Sequence, residues 1–381
     1  MNVLIAIDSW KGCLKSRDAN EAACRGVLAR WPDADVRSIE VSDGGEGFLE
    51  AISSVLSASP EGGTDWQRIT VDVLDPLMRP IKADYLYREN GMGRSFCPPG
   101  DGGMGWQIVP PHGGNRRGSA IIEMAQASGL TLLGAEERNP LVASSYGTGQ
   151  LIADALRRGA TDIVVGLGGS ATSDCGRGML EALKGLRIEN GGLRIATDVT
   201  NPLLGPDGAT YVFAPQKGAS RQMLPELEAR AQAFAADSAL LCGRDCSCEP
   251  GAGAAGGMGY ALMQYFGARR VSGIDFLFDL AGFDDLLAKA DLVVTGEGRA
   301  DRQTLMGKVP MGVLRRAQVH GVPVVLVAGQ VSDRDALLRA GFAQVLCVNP
   351  PESPIEECLR PEVATSRIGE TMAQLPSLPF L

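Results

Sequence analysis

The chain has 381 residues, 45% apolar and 21% charged, the balance of an ordinary globular enzyme and not of a disordered chain. Its length exceeds what one hydrophobic core usually organises, so two domains are expected. A formal charge of −9 argues against nucleic acid or an anionic membrane surface as a partner, because both select clustered Lys and Arg.

The first residues, MNVLIAID, read directly as a strand, without a basic region, a long apolar run and a cleavage site. Every strong apolar run is cut by Gly or charge before it could cross a bilayer, so a soluble cytoplasmic protein is expected. Nine cysteines, an odd and mostly scattered set, suit reduced thiols, and Cys13, Cys24, Cys97, Cys175 and Cys347 look buried. Cys242, Cys246 and Cys248 do cluster, but their spacing lacks the paired knuckles and nearby His of common zinc sites, which favours free thiols in a surface segment.

Two βα units open the chain: a strand at 3–7, a helix near 16–31, a strand at 36–41, then a Gly-rich loop and a helix from Phe48. Residues 68–73 and 81–87 alternate as antiparallel strands around an Asp75-Pro76 turn. The stretch 89–118 has little periodicity and many Gly and Pro, so a long surface loop or flap is expected there. Strands at 292–295, 324–328 and 344–348, with helices near 309–320 and 333–340, restore the βα texture. The two ends should therefore share one parallel sheet, with the middle of the chain inserted between boundaries near 67 and 288.

One pattern recurs: an apolar strand, a Gly-rich loop with carboxylates or hydroxyls, then a helix. At 163–178, IVVGLGGSATSDCGRG delivers Gly168, Gly169, Ser170, Thr172, Ser173 and Asp174 to a strand's carboxyl edge, where ligands of parallel sheets bind. At 250–260, PGAGAAGGMGY precedes a helix; Gly253, Gly256, Gly257 and Gly259 would let backbone N–H groups approach an oxyanion. At 292–308, LVVTGEGRADRQTLMGK sets Glu297, Arg299, Asp301 and Lys308 around a third such loop.

Asp8, Ser9, Trp10 and Lys11 follow the first strand, and Asp43, Gly44, Gly45, Glu46 and Gly47 the second. Adjacent loops would gather Asp8, Lys11, Asp43 and Glu46 in one crevice; the alternative is that Asp8 and Asp43 cap the following helices. A single Gly-rich loop is weak support for a ligand, but several at strand ends point to a polyanion site. Phosphoryl transfer needs a phosphate cradle, carboxylates for a divalent ion, a cation and a positioned hydroxyl, and the chain offers parts for all four. No Walker A or protein-kinase motif is present, and His112 and His320 do not sit in catalytic settings.

Taken in order, IDSWKG (7–12), VSDGGEG (41–47), IEMAQASGL (122–130), NPLVASSYGTGQLI (139–152), GLGGSATSDCGRG (166–178), TDVTNPLLG (197–205), APQKGAS (214–220), GAGAAGGMGYAL (251–262) and TGEGRADRQTLMGKVPMGV (295–313) resemble the bacterial glycerate kinases. The resemblance is nearly chain-wide. It implies an α/β enzyme with a Rossmann-like parallel-sheet domain built from both chain ends (1–67 plus 288–381), an inserted second α/β domain (68–287), and an active crevice between them. It further implies ATP and Mg2+ as cofactors and D-glycerate as the acceptor, giving 2-phosphoglycerate; the sequence leaves homodimer and monomer both open.

On this reading Asp43 or Asp198 orients or deprotonates the acceptor hydroxyl, with Lys11 as a catalytic cation. Asp8, Ser9, Glu46, Ser170, Lys217 and Arg299 are expected to bind substrate. Gly168, Gly169, Gly253, Gly256, Gly257, Gly259, Thr295 and Gly296 are expected on the nucleotide, and Glu297 and Asp301 on Mg2+.

The chain departs from the family pattern in carrying Ile7 where Pro is usual, Tyr146 where Arg is usual, Ser173 for Asn and Cys175 for Gly. The stretch 183–197 is shorter than in relatives and 89–118 longer. Three other readings stay open at this point: phosphorylation of the 3-hydroxyl or of another short hydroxy acid, a non-catalytic nucleotide-binding regulator, and a dehydrogenase using GAGAAG at 251–256. For the last, Asp275 stands near the required distance, but no strand leads into Gly251.

Overall fold

The computed structural model describes residues 1–42, 44–58, 65–90, 117–188 and 192–375. Asp43, Cys97, His112 and most of the expected flap lie outside these described residues. Among the described residues eleven strands run in chain order: β1 (Asn2–Ile7), β2 (Asp35–Ser38), β3 (Gln67–Leu74), β4 (Pro80–Asn90), β5 (Arg117–Glu123), β6 (Ala160–Gly166), β7 (Leu193–Ala196), β8 (Arg269–Val271), β9 (Leu292–Ala300), β10 (Val324–Val331) and β11 (Gln344–Cys347). They form two sheets in two compact units, one of Met1–Asp43, Glu50–Gly63 and Gly273–Leu381, the other of Gly44–Leu49 and Thr64–Ser272.

The first unit carries an all-parallel sheet in the order β11-β10-β9-β1-β2, drawing strands from both chain ends. Val3 to Ile7 are buried at every position, as a strand must be when helices cover both faces of its sheet. From β1 the chain steps outward to β2, whereas β9, β10 and β11 run outward on the other side. The strand order therefore reverses between β1 and β9, and loops leaving the carboxyl ends of such neighbours part to leave a crevice.

Two buried polar side chains of the helix Ser16–Arg30 set that edge. Ser16 Oγ donates to Ile7 O at 2.6 Å and accepts from Val41 N at 3.0 Å. Asn20 Oδ1 accepts from Ile7 N at 2.9 Å, and its Nδ2 donates to Ile39 O at 2.9 Å. Buried backbone groups beyond the sheet's ladder thus find partners, and the ends of the first two strand segments are held in place. Asp8 is not the cap of this helix: Lys15 precedes it, with no side-chain cap bond.

The second unit's sheet runs β3-β4-β5-β6-β7-β8, antiparallel from β3 to β5 and parallel from β5 to β8. The antiparallel pair expected around Asp75-Pro76 is β3 and β4. Asp75 Oδ1 accepts from Leu77 N and Arg79 N, both at 2.8 Å, which closes the turn. Each unit has its own core, around Ile5, Ile7, Val294 and Val325 in the first and Ile122, Val165, Met258 and Leu262 in the second.

Two expectations are corrected. Strands β9 and β10 run past the end of β1 as a ribbon, pairing Arg299 with Gln330 and Ala300 with Val331, so Glu297 and Arg299 lie on a strand and not in a loop. The glycine run after Pro250 is not an open loop: within the span Ala254–Phe266 the left-handed, non-helical residues Ala255, Gly256 and Gly257 make a buried kink, and the regular helix follows it.

All eight cysteines among the described residues are free, and Cys347 is exposed where burial was expected. Cys248 is exposed, whereas Cys242 and Cys246 are half-buried. No helix among the described residues is long and apolar enough to cross a membrane.

Candidate active site

In the first unit the site begins where β1 meets β9. Ile7 pairs with Gly296, and Asp8 N donates to Gly296 O at 2.9 Å, carrying the ladder one step further. Asp8 and Glu297 are therefore neighbours at the point where the strand order reverses. Asp8 Oδ1 accepts from Ser9 N at 2.8 Å. A tight loop follows, with Trp10 N and Leu14 N each donating to the other residue's carbonyl, and it leaves Lys11 exposed. The Trp10 ring is buried against Gly298 and Gly329, one glycine from each strand of the ribbon.

Glu297 is almost fully buried. Its Oε2 accepts from Lys308 Nζ at 2.8 Å, while Oε1 is buried without a hydrogen-bond partner. Burial pushes this carboxyl above its ordinary range, and Lys308, with a smaller part from the Thr304 hydroxyl, pulls it back. Asp301 has a different task. Its Oδ1 accepts from Gln303 N, Oδ2 lies 3.3 Å from Arg299 Nε, and its own N–H donates to Thr304 Oγ1. Among the described residues no group of three or more His, Cys, Asp and Glu is placed to hold a metal ion. Thr295 and Gly296, expected on the nucleotide, lie inside the sheet: Thr295 Oγ1 donates to Ala6 O, and a Cβ on Gly296 would meet Val327 O at 2.2 Å.

In the second unit the loop after β6 is the counterpart. Gly168 N donates to Gly44 O at 2.9 Å, and a Cβ on Gly168 would fall 2.1 Å from Gly45 Cα, so the two glycine loops touch backbone to backbone. Glu46 and Gly169 are exposed on these loops. Glu123, buried at the end of β5, accepts from Gly47 N at 3.3 Å and Leu49 N at 2.9 Å, holding the start of the helix Phe48–Ala58.

Asp174 organises the rest of the loop. Its carboxylate accepts from Ser145 N, Ser145 Oγ, Gly176 N and Gly178 N, at 2.7 to 3.1 Å. Lys217, expected to touch the ligand, is only 2% exposed; its ammonium donates to Ser170 Oγ at 2.8 Å and Thr172 O at 2.6 Å. Desolvation pushes it down to about 7, against a smaller upward pull from Asp174. The hydroxyls of Thr172 and Ser173 are buried with no partner. Asp198 is half-buried two residues past the end of β7.

Gly253, Gly256, Gly257 and Gly259 are buried, and each has a packing reason to be glycine. A Cβ would meet Pro202 O at 2.3 Å, Thr172 O at 2.0 Å, a Leu203 methyl at 2.7 Å and Gly251 O at 2.2 Å respectively. Cys175, at a position where Gly was the expected residue, has φ of 56°, the left-handed region that favours glycine. Tyr146 opens the helix Tyr146–Arg157, with its N–H on Ser144 Oγ.

Glu123 was not among the expected site residues, and Asp174, expected at the ligand edge of its loop, was given no role there. Glu123 accepts from Gly47 and Leu49 and Asp174 from Ser145, all remote in sequence, and the only local sign is a carboxylate beside an apolar strand or inside a glycine loop.

A profile of the Glycerate kinase family matches residues 3–191 and 184–378. The chain is 37% identical to a glycerate kinase of Bacillus subtilis (strain 168), over 94% of this chain and 92% of that one. It is 38% identical to the glycerate 2-kinase of Escherichia coli (strain K12), over 94% and 93%. A crystal structure of a candidate glycerate kinase 2 from Salmonella typhimurium LT2 superposes with a TM-score of 0.72 at 33% identity, covering 98% of this chain and 97% of that one. With an α/β architecture of two sheets and carboxylates and glycine loops at their carboxyl edges, the chain belongs to the glycerate kinase family and is a kinase.

Proposed function

We propose that the chain transfers the terminal phosphate of ATP to the 2-hydroxyl of D-glycerate, giving 2-phosphoglycerate. The observation that carries this reading is similarity over nearly the whole chain to proteins named glycerate kinase and, in Escherichia coli, glycerate 2-kinase. The geometry agrees with it: the first unit sets two acidic residues on neighbouring strand ends where its strand order reverses, and the second offers a loop rich in glycine and hydroxyl groups.

Asp198 or Asp43 orients the acceptor hydroxyl and takes its proton, and exposed Lys11 and Arg299 meet anionic oxygens. Mg2+ takes one or two carboxylates, with phosphate and water supplying the remaining ligands, and Glu297, whose Oε1 takes no bond from Lys308 and whose backbone neighbour across the strand pair is Asp8, fits that demand. The ion, when bound, neutralises charge on the phosphate oxygens. Asp301, committed to its turn and to Arg299, is the weaker candidate.

A coupled ADP-release assay across D-glycerate, tartronate and lactate, with and without Mg2+, tests the reading. ADP release that requires D-glycerate and Mg2+ supports it. ATP binding without glycerate-dependent ADP release would make the chain a nucleotide-binding protein without this activity. Full turnover in both Asp198→Asn and Asp43→Asn would remove the assignment of the base.

A further inference from the structure

Lys217 closes the short turn Pro215–Lys217 and is followed by Gly218 at φ of 95°. Its burial bars direct contact with a ligand from solvent, yet burying an ammonium is costly, and a residue needed only for packing could be Met without that cost. What it does is visible in its bonds. While Lys217 keeps its proton, below about 7, the ammonium carries donors and no acceptor, so Ser170 Oγ can only accept from it, and the hydroxyl's own proton must turn away from Lys217. Its second bond, to Thr172 O, fixes the peptide two residues on. Asp174 anchors the far side of the same loop, and Gly168 anchors its near side against Gly44. Between these ties stand exposed Gly169 and Ser170, which keeps 8% exposure, followed by the unpartnered hydroxyls of Thr172 and Ser173.

We propose that Lys217 is a positioning residue: by occupying the acceptor side of Ser170 Oγ, it leaves that hydroxyl to donate to an anionic oxygen of the bound ligand. This inference rests on the proposed kinase reading for the identity of the two ligands. Carboxylate and phosphate oxygens present the same chemistry, and separate titrations tell them apart.

Affinities for ATP and for D-glycerate are measured separately by calorimetry at about pH 6, where Lys217 is protonated, on wild type, Ser170→Ala, Lys217→Met and the double variant, with turnover followed in parallel. Each single variant is expected to raise one of the two dissociation constants about tenfold, the scale of a lost hydrogen bond to a charged group. The double variant should bind no worse than Ser170→Ala alone, because Lys217 acts through that hydroxyl. A purely structural lysine would weaken both ligands, and its effect would multiply with that of Ser170→Ala; either result overturns the proposal. If Lys217→Met does not fold, Ser170→Ala still decides, since unchanged affinity for both ligands overturns the proposal and a selective loss supports it. Wild type that binds both ligands without turnover would contradict the kinase reading while leaving this inference to the same binding comparison.

Discussion

Lys217 makes the stability of the protein depend on pH in a direction fixed by its burial. The unfolded chain holds the ammonium proton up to about 10.5, whereas the folded chain releases it near 7. Between those values the unfolded state binds more protons, so the free energy of unfolding rises with pH, by at most about 1.4 kcal/mol per unit. Lys217→Met is the reference, because every other titrating group is common to both proteins and cancels in the difference. From about pH 7 to about pH 9 the stability of wild type relative to Lys217→Met should increase by about 2 kcal/mol. Urea denaturation at about pH 7, 8 and 9, followed by circular dichroism, measures it. A difference that stays flat across this range would show that the buried amine keeps its proton, and would refute the argument from desolvation.

Asp174→Ala should destabilise the protein by about 3–5 kcal/mol, because the donors at Ser145, Gly176 and Gly178 lose their acceptor together. Asp174→Asn keeps one oxygen and should cost less; urea titrations that ranked the two the other way would contradict the hub role. Cys175→Gly should be more stable than Cys175→Ala by about 1 kcal/mol, since both remove the thiol and only Gly relieves the left-handed backbone. Equal melting temperatures would mean that this strain is absent.

The parts of the fold legible in the sequence are those with local causes. Runs of Val, Ile and Leu mark β1, β6, β9 and β10, ended by Asp8 after β1 and by Gly in the other three, and the Asp75-Pro76 turn announces the antiparallel pair. The extension of β9 was hidden because Gly-Glu-Gly-Arg-Ala reads as a loop. Gly298 and Gly329 serve there to seat Trp10, a contact made only in the folded chain. The run after Pro250 has the composition of a phosphate loop, yet Gly253 and Gly256 are small because Pro202 O and Thr172 O press against them. Lys217 shows the same limit: the sequence supplies a cation near a glycine motif, and only the packing around it turns that cation inward, onto Ser170.

Proton-coupled phosphorus NMR of the product formed from ATP and D-glycerate tests the central claim most directly. Phosphate on the 2-oxygen couples through carbon to a single proton, and the account predicts a doublet that grows with time. A triplet would place the phosphate on the 3-oxygen, and a spectrum with no phosphoglycerate signal would contradict the assigned activity.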